Sequence, residues 1–316
     1  MPVIPTPFGV IETLPGPEFF PDGSVRSCIA AKACKLSTPL GTLVPQFTAN
    51  TLRKRQLPVI SFHPNGMIRN LPLEDVVMIP TPLGVMPAEQ VTFHDTGALK
   101  RVFPLNGTLS GYWTEEDEAA LARPLTLDTP MGLVDVTPVC VNFGPMGGLR
   151  SLTLWPGTVC DVPTPLGSIS ARIGVAFYDS GVLRSVEPAW PVPLPTSVGE
   201  LLAYDQDAPG ICGDRNSLRF CENGELQGLT TAAHAFEVEL ENGRRKNVSP
   251  PLRRHPCDGE RMEAGPLVLE FRPGFVSISS ADLPRISAKV EGVTVSRFFL
   301  PLPALSPMCS MGAGKW

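Results

Sequence analysis

The chain has 316 residues, of which 43% are apolar, enough for a continuous core in one large domain or two ordinary ones. Charged residues make up 18%, and 26 basic against 31 acidic residues leave a net charge of -5, which offers no electrostatic basis for non-specific nucleic-acid binding. The 36 prolines and 29 glycines are many for a globular protein, but aliphatic residues and Phe recur throughout, so the excess reads as turn punctuation rather than disorder.

The opening MPVIPTPFGVIETLPG lacks a basic stretch followed by an apolar helical run, so no secretory signal is expected. No run of about 18 apolar residues occurs, so no membrane-spanning helix is expected either. A cytoplasmic location follows as an expectation, and with it eight cysteines held as free, buried thiols.

Two turn motifs then alternate along the chain. One is Thr-Pro-x-Gly, ending at Gly9, Gly41, Gly84, Gly132 and Gly167, with a degraded copy, PTSVG, ending at Gly199. Pro presets the φ of a type I turn, and Gly follows where the chain turns left-handed. The other is Phe, three residues, Gly, any residue and then usually an aliphatic one, starting at Phe19, Phe62, Phe93, Phe103, Phe143, Phe177 and Phe220. Its Gly suits a hairpin closing on a bulge, which needs φ > 0. Ile173, Val175 and Phe177 alternate before one such turn and Leu183 follows it; Val91, Phe93, Leu99 and Phe103 give the same period-2 reading of strands. Arg26, Arg69, Lys100, Arg150 and Arg184 each follow the aliphatic residue and are expected as a solvated row on the opposite face.

Thr6, Phe19, Thr38, Phe62 and Gly66 recur as Thr164, Phe177, Thr196, Phe220 and Gly224, each displaced by 158 residues. The fold class expected is therefore all-β: an antiparallel hairpin-repeat array forming an extended or curved meander sheet, internally duplicated, with one short helix. The blocks read as 1–110 and 126–227 for the hairpins, 111–125 for a helical insertion, and 228–316 for an irregular segment with C-terminal capping strands.

The helix is predicted within 111–123, capped by Thr114, with its four acidic residues as a solvated first turn and Arg123 near its end. Tyr112 and Trp113 either anchor it on the sheet or form a ligand platform. The long intervals 42–61 and 200–219 interrupt the regular array and are the natural binding loops. The first holds Arg53, Lys54 and Arg55, read as a partner or surface patch. The second gathers Tyr204, Asp205, Asp207, Asp214, Arg215 and Asn216, readable as a self-capped loop or as a partner contact. Asp205-Gln206-Asp207 begins like a calcium loop, but the rest of that pattern is missing. Beyond 228, the basic, Pro-interrupted segment 241–262 reads as an exposed connection. Strands are expected at 267–279 and 286–302, with a tight turn at Glu291-Gly292, and the last residues look like a loose end.

The recurring F-x-x-x-G-x-L-[RK] hairpins, over roughly residues 19 to 227, resemble MORN-like bacterial repeat proteins, in which an aromatic residue and a Gly anchor each hairpin. The resemblance implies an extended hairpin sheet used for binding or scaffolding. His63 and His94 follow the motif Phe and read as turn-surface residues, and no metal motif, Cys-x-x-Cys pair or phosphate loop occurs. The reading that results is a non-catalytic protein-binding or scaffold protein, with no cofactor or metal, and with no nucleic-acid or membrane partner. The alternative is a β-rich hydrolase acting on a polymer such as a polysaccharide, its carboxylates unassigned.

Overall fold

A computed structural model describes residues 1–49, 51–210, 212–255 and 258–299. The chain opens with a two-stranded arm, β1 (Val3–Thr6) and β2 (Gly9–Glu12), then a sheet hairpin, β3 (Glu18–Phe19) and β4 (Val25–Cys28). A second arm, β5 (Leu36–Thr38) and β6 (Gly41–Leu43), precedes β7 (Ile60–Phe62), β8 (Ile68–Thr81) and β9 (Gly84–Phe93), the outer ends of β8 and β9 forming a third arm. After β10 (Leu99–Phe103) come helix α1 (Glu115–Ala119), the arm β11 (Leu125–Thr129) and β12 (Gly132–Val136), and the hairpin β13 (Pro138–Phe143) and β14 (Leu149–Leu154). The arm of β15 (Cys160–Thr164) with β16 (Gly167–Phe177) leads to β17 (Leu183–Pro188), the arm β18 (Val192–Thr196) and β19 (Gly199–Ala203), and the hairpin β20 (Leu218–Phe220) and β21 (Leu226–Thr231).

Two compact units result: Met1–Leu194 with Ala203–Leu229, and Pro195–Leu202 with Thr230–Trp316. In the first, twelve antiparallel strands are ordered β3-β4-β7-β8-β9-β10-β13-β14-β16-β17-β20-β21. Alternation gives this sheet one dry and one polar face. Val91, Val102, Val141, Leu152, Val175, Val186 and Leu218 stand opposite one another across successive strands, each fully buried. Burying each contributes about 1.5–3 kcal/mol. The neighbouring row, on the other face, runs Ser27, Ser61, Asn70, Thr92, Arg101, Asn142, Ser151, Ala176, Ser185, Arg219.

The Phe-x-x-x-Gly turns close as expected. Gly181 donates its N–H to the Tyr178 carbonyl at 2.9 Å and Tyr178 donates to Val182 at 2.8 Å, with Gly181 at φ 84°. In all six sheet hairpins the register then slips by one residue. The looped-out residues are Arg26, Arg69, Lys100, Arg150, Arg184 and Gln227, so the recurring basic residue of the motif is the bulge. The slip changes parity: Leu99 pairs with Phe93 on the dry side while Arg101, two residues on, pairs with Thr92 on the polar side.

Three of the turns are also tied to the next by a side chain. A ring nitrogen of His63 lies 3.0 Å from the Phe93 carbonyl, His94 reaches Phe143 likewise at 3.0 Å, and the Tyr178 hydroxyl donates to Phe220 at 2.9 Å. These histidines are structural ties rather than idle turn-mouth residues.

At the arm tips the Thr hydroxyl accepts the N–H two residues on and donates to the Gly carbonyl, as in Thr164 with Leu166 (3.1 Å) and Gly167 (2.6 Å). Pro fixes φ near -65° and excludes the mirror-image turns that usually suit two-residue hairpins; Gly, at φ 107° in this copy, absorbs the mismatch. An isolated two-stranded hairpin is marginal in water. The arms therefore bury cross-strand pairs such as Ile4–Ile11, Leu36–Leu43, Ile79–Met86 and Val162–Ile169.

The duplication holds at the level of hydrogen-bond register. Glu18↔Ser27, Ser27↔Ser61, Phe62↔Ile68 and Thr6↔Gly9 reappear, shifted by 158, as Ala176↔Ser185, Ser185↔Arg219, Phe220↔Leu226 and Thr164↔Gly167.

Several expectations are corrected. The copy at Phe103 makes no hairpin; Gly107 lacks the positive φ and donates its N–H to Glu118 at 2.9 Å. Ile173 leaves the alternation, with φ 61° where the register slips between Ala171 and Val175. A seventh, cryptic turn of this kind exists at Leu240–Gly243, with Glu239 in the Phe position.

In the second unit β22 (His234–Glu239) pairs with β23 (Arg245–Val248) and with β29 (Val293–Arg297). The segment read as an exposed connection is folded into β23, β24 (Leu252–His255) and β25 (Asp258–Ala264), with Arg245–Glu237 and Arg253–Glu263 ion pairs offsetting its charge. β26 (Leu267–Arg272), β27 (Phe275–Ser279) and β28 (Ile286–Lys289) form a meander, and Glu291-Gly292 lies in a 3-10 turn. The six cysteines among the described residues are free, and Cys140 and Cys28 are buried. Cys257, Cys309 and the terminal segment lie outside the described residues.

Candidate functional site

Both long inserts return to the first unit and are fastened to it by charged side chains. In the first, Arg53 donates to both oxygens of Glu89 (2.7 and 2.6 Å) and to both of Glu118 (2.7 Å each). All three side chains are largely buried. Burial disfavours charge on Arg53, but its two carboxylate partners outweigh that and hold it protonated. Burial likewise opposes ionisation of Glu118, yet the bonds from Arg53, the Trp113 indole and the Gly107 N–H hold its carboxyl below the usual range. Lys54 donates to the carbonyls of Leu73 (3.2 Å) and Glu74 (2.8 Å), and the Glu74 carboxylate receives Phe47 and Thr48 N–H groups at 2.8 and 3.1 Å.

Two expectations change as a result. Arg53 and Lys54 are internal ties rather than a surface patch, and Glu118 is a buried counter-ion rather than part of a solvated helix start. The cap itself is as read: Thr114 and Asp117 form a capping box, and Arg123 donates to the carbonyls of Ala120 and Ala122. Trp113 anchors the helix through Glu118, whereas Tyr112 is exposed with Arg55 stacked 4.7 Å over its ring.

The second insert separates into two ends. Near its start Arg172 stacks 4.7 Å over Tyr204 and donates to the Asp205 carbonyl at 2.6 Å, while the Asp205 carboxylate caps the Asp207 N–H at 2.9 Å. Farther on, Asp214 reaches the polar row and is gripped by Arg101, Ser151 and Asn142. Burial would raise its pKa, but Ser151 and Arg101 outweigh it and keep the carboxyl below the ordinary value. Next to it Gly213 crosses β16 closely: a methyl on Gly174 would stand 2.2 Å from the Gly213 Cα. Gly213 also donates its N–H to Thr153 at 3.0 Å.

Asn216 is buried and donates to Ser185 Oγ (3.0 Å) and the Gly213 carbonyl (3.1 Å). Glu187 accepts the Ser217 N–H at 2.7 Å and its hydroxyl at 2.9 Å, and burial pushes its pKa up to about 7. What remains outward is Arg215, beside a polar depression of about 430 Å³ also lined by Arg184, Ser185, Asp214, Asn216, Arg219 and Gln227.

Thus Asp214 and Asn216 position the loop, Arg215 is presented by it, and Tyr112 and Trp113 belong with the other insert. Arg101, Asn142, Ser151, Gly174 and Glu187 were not singled out from the sequence. Only their place in the polar row or under the insert marks them.

Among the described residues no group of three or more His, Cys, Asp or Glu is placed to hold a metal ion, and no helix is long and apolar enough to cross a membrane. Comparison with family models, with curated proteins and with solved structures returned no match.

Proposed function

We propose that this protein is a non-catalytic, protein-binding scaffold, and that the second insert presents Arg215 to an acidic segment of its partner. The observation that carries the reading is the fixation of 213–217 by side chains from four sheet strands, which leaves Arg215 exposed beside Arg184 and a polar depression. A loop held this way loses little conformational freedom when it binds, so its contacts are realised as affinity. Three arginines line the depression against one carboxylate, Asp214, which is engaged by Arg101, Asn142 and Ser151, and guanidinium groups match carboxylates in bidentate geometry. The likeness of the hairpins to MORN-like repeats, which implies a binding or scaffolding sheet, points the same way.

A peptide-display library tests the proposal. Wild type is expected to enrich Asp/Glu-rich peptides, and Arg215→Glu to lose that enrichment with an unchanged melting curve. Equal enrichment by the variant would remove the insert from consideration as the binding site.

A further inference from the structure

A second depression, beside the first insert, has a different chemistry. It measures about 260 Å³ and is lined by Gln46, Gln56, Asn70, Gln90 and Asn106, with Thr108, Lys54, Pro58, Val59 and Pro72 completing the wall. Five carboxamides converge here and no carboxylate lines it. The single cation, Lys54, is committed to two backbone carbonyls. Strand register supplies part of this set, because Pro72 and Gln90 are cross-strand partners and Asn70 is two residues from Pro72 on the same face.

The insert supplies Gln46, Gln56 and Pro58, and the chain after β10 supplies Asn106 and Thr108, drawn in by Arg53 and Glu89. Gln46 is 3% exposed, and its amide nitrogen is spent on the Thr48 carbonyl at 2.9 Å. Gln90 donates to Asn70, and Asn70 donates to the Val59 carbonyl at 3.1 Å, so both amides are held in place. The side chains of Gln56, Asn106 and Thr108 make no hydrogen bond to described residues.

A carboxamide donates and accepts at adjacent atoms, and so does a pair of neighbouring hydroxyls. A ligand carrying a net charge finds no uncommitted counter-charge in this wall. A nucleobase finds no aromatic face on which to stack. The proline rings and Val59 offer the apolar surface that the C–H face of a sugar ring requires. The volume is just below the roughly 300–1,000 Å³ of pockets for drug-sized ligands, in keeping with one sugar unit of a chain. We propose that this depression is a binding subsite for a neutral saccharide, independent of the Arg215 site.

Isothermal titration with cello-, chito- and xylo-hexaose tests it on the full chain. At least one series is expected to bind saturably, and Gln56→Ala/Asn106→Ala is expected to weaken it about ten-fold or more, as losing two hydrogen bonds to the ligand implies. The melting curve of that double variant should match wild type, since neither side chain bonds to a described residue. Arg215→Glu should bind the sugar as wild type does, which separates this site from the peptide site. Absence of saturable binding in all three series overturns the proposal, as does wild-type affinity in the double variant. A neutral peptide series that binds instead, and is lost in the double variant, overturns the saccharide assignment in favour of peptide main chain.

Discussion

The ring of Pro130 lies against Gly181, so that the tip of one arm passes the sheet hairpin that follows it and rests on the turn of the one after. Pro7 meets Gly66, Pro82 meets Gly147 and Pro165 meets Gly224 in the same way, each arm skipping one hairpin to reach the next. The two motifs of the sequence are thus two halves of one contact, repeated along the array.

Gly181→Ala tests how tight that contact is. The added methyl would meet Pro130 at 3.7 and 3.8 Å, ordinary van der Waals distances, so the cost comes from φ 84° alone and should be about 1–2 kcal/mol. Gly174→Ala has no such latitude, because its methyl would stand 2.2 Å from the Gly213 backbone and the insert must lift. A loss of roughly 3 kcal/mol is expected there. Urea denaturation compares the two, and equal losses would contradict the close crossing.

Arg53→Met should be among the most damaging single changes in the first unit. It leaves Glu89 and Glu118 buried without their cation, at a cost of about 3–5 kcal/mol. Adding Glu89→Gln and Glu118→Gln should recover much of the loss, since the uncompensated charges are then gone. Limited proteolysis should show cleavage around residues 107–123 in the single variant and much less in the triple one.

Glu187 gives stability a distinct pH dependence. Its folded pKa, about 7, is above the ordinary 4.5 because of burial, so the native state holds the proton more tightly than the unfolded chain. Its contribution is full below pH 4.5, declines as pH rises through 7, and is flat above, a span of roughly 3 kcal/mol. Asp214, shifted downward, loses its contribution only below the ordinary carboxylate range. Buried, neutral His234 acts with the opposite sign as pH falls through 6.5. The difference between wild type and Glu187→Gln cancels both: the variant should equal wild type near pH 4.5 and exceed it at pH 8. Parallel denaturation midpoints at the two pH values would refute the assignment.

The open edge of the first unit is blunted by proline. Among the described residues β3 has only β4 beside it, and Pro15 and Pro17 occupy the positions that Ile173 and Val175 hold in the second copy. There the corresponding edge is covered, Val175 pairing with Leu152 and Ala176 with Ser151. Proline has no N–H to offer a new strand, and short, proline-bearing edges resist edge-to-edge association. Pro15→Ile/Pro17→Val should therefore associate with rising concentration, seen by light scattering, while wild type keeps its mass over the same range.

What could be read from the sequence was whatever depends on a few adjacent residues. Turn chemistry, period-2 alternation, the Thr114 cap and the 158-residue duplication are local or self-similar, so the residues themselves display them. The hairpin array follows from these, since each Gly at φ > 0 reverses the chain and each alternation chooses a face. Local likeness also misled. FPLNG at Phe103 carries the same letters as a true turn, but Glu89 and Glu118 claim its N–H groups. Phe19 and Phe177 hold the same motif position, yet the first is 54% exposed and the second 3%, because only one has a strand beyond it. The setting of the candidate site was decided by tertiary structure alone. Asp214 meets Arg101, Asn142 and Ser151 across separations of 113, 72 and 63 residues. Five amides converge beside the first insert only because the register of β8 and β9 and the buried Arg53 clamp bring three separate segments together. Side-chain pairing at that range depends on which strands become neighbours, and no periodicity in the chain encodes that.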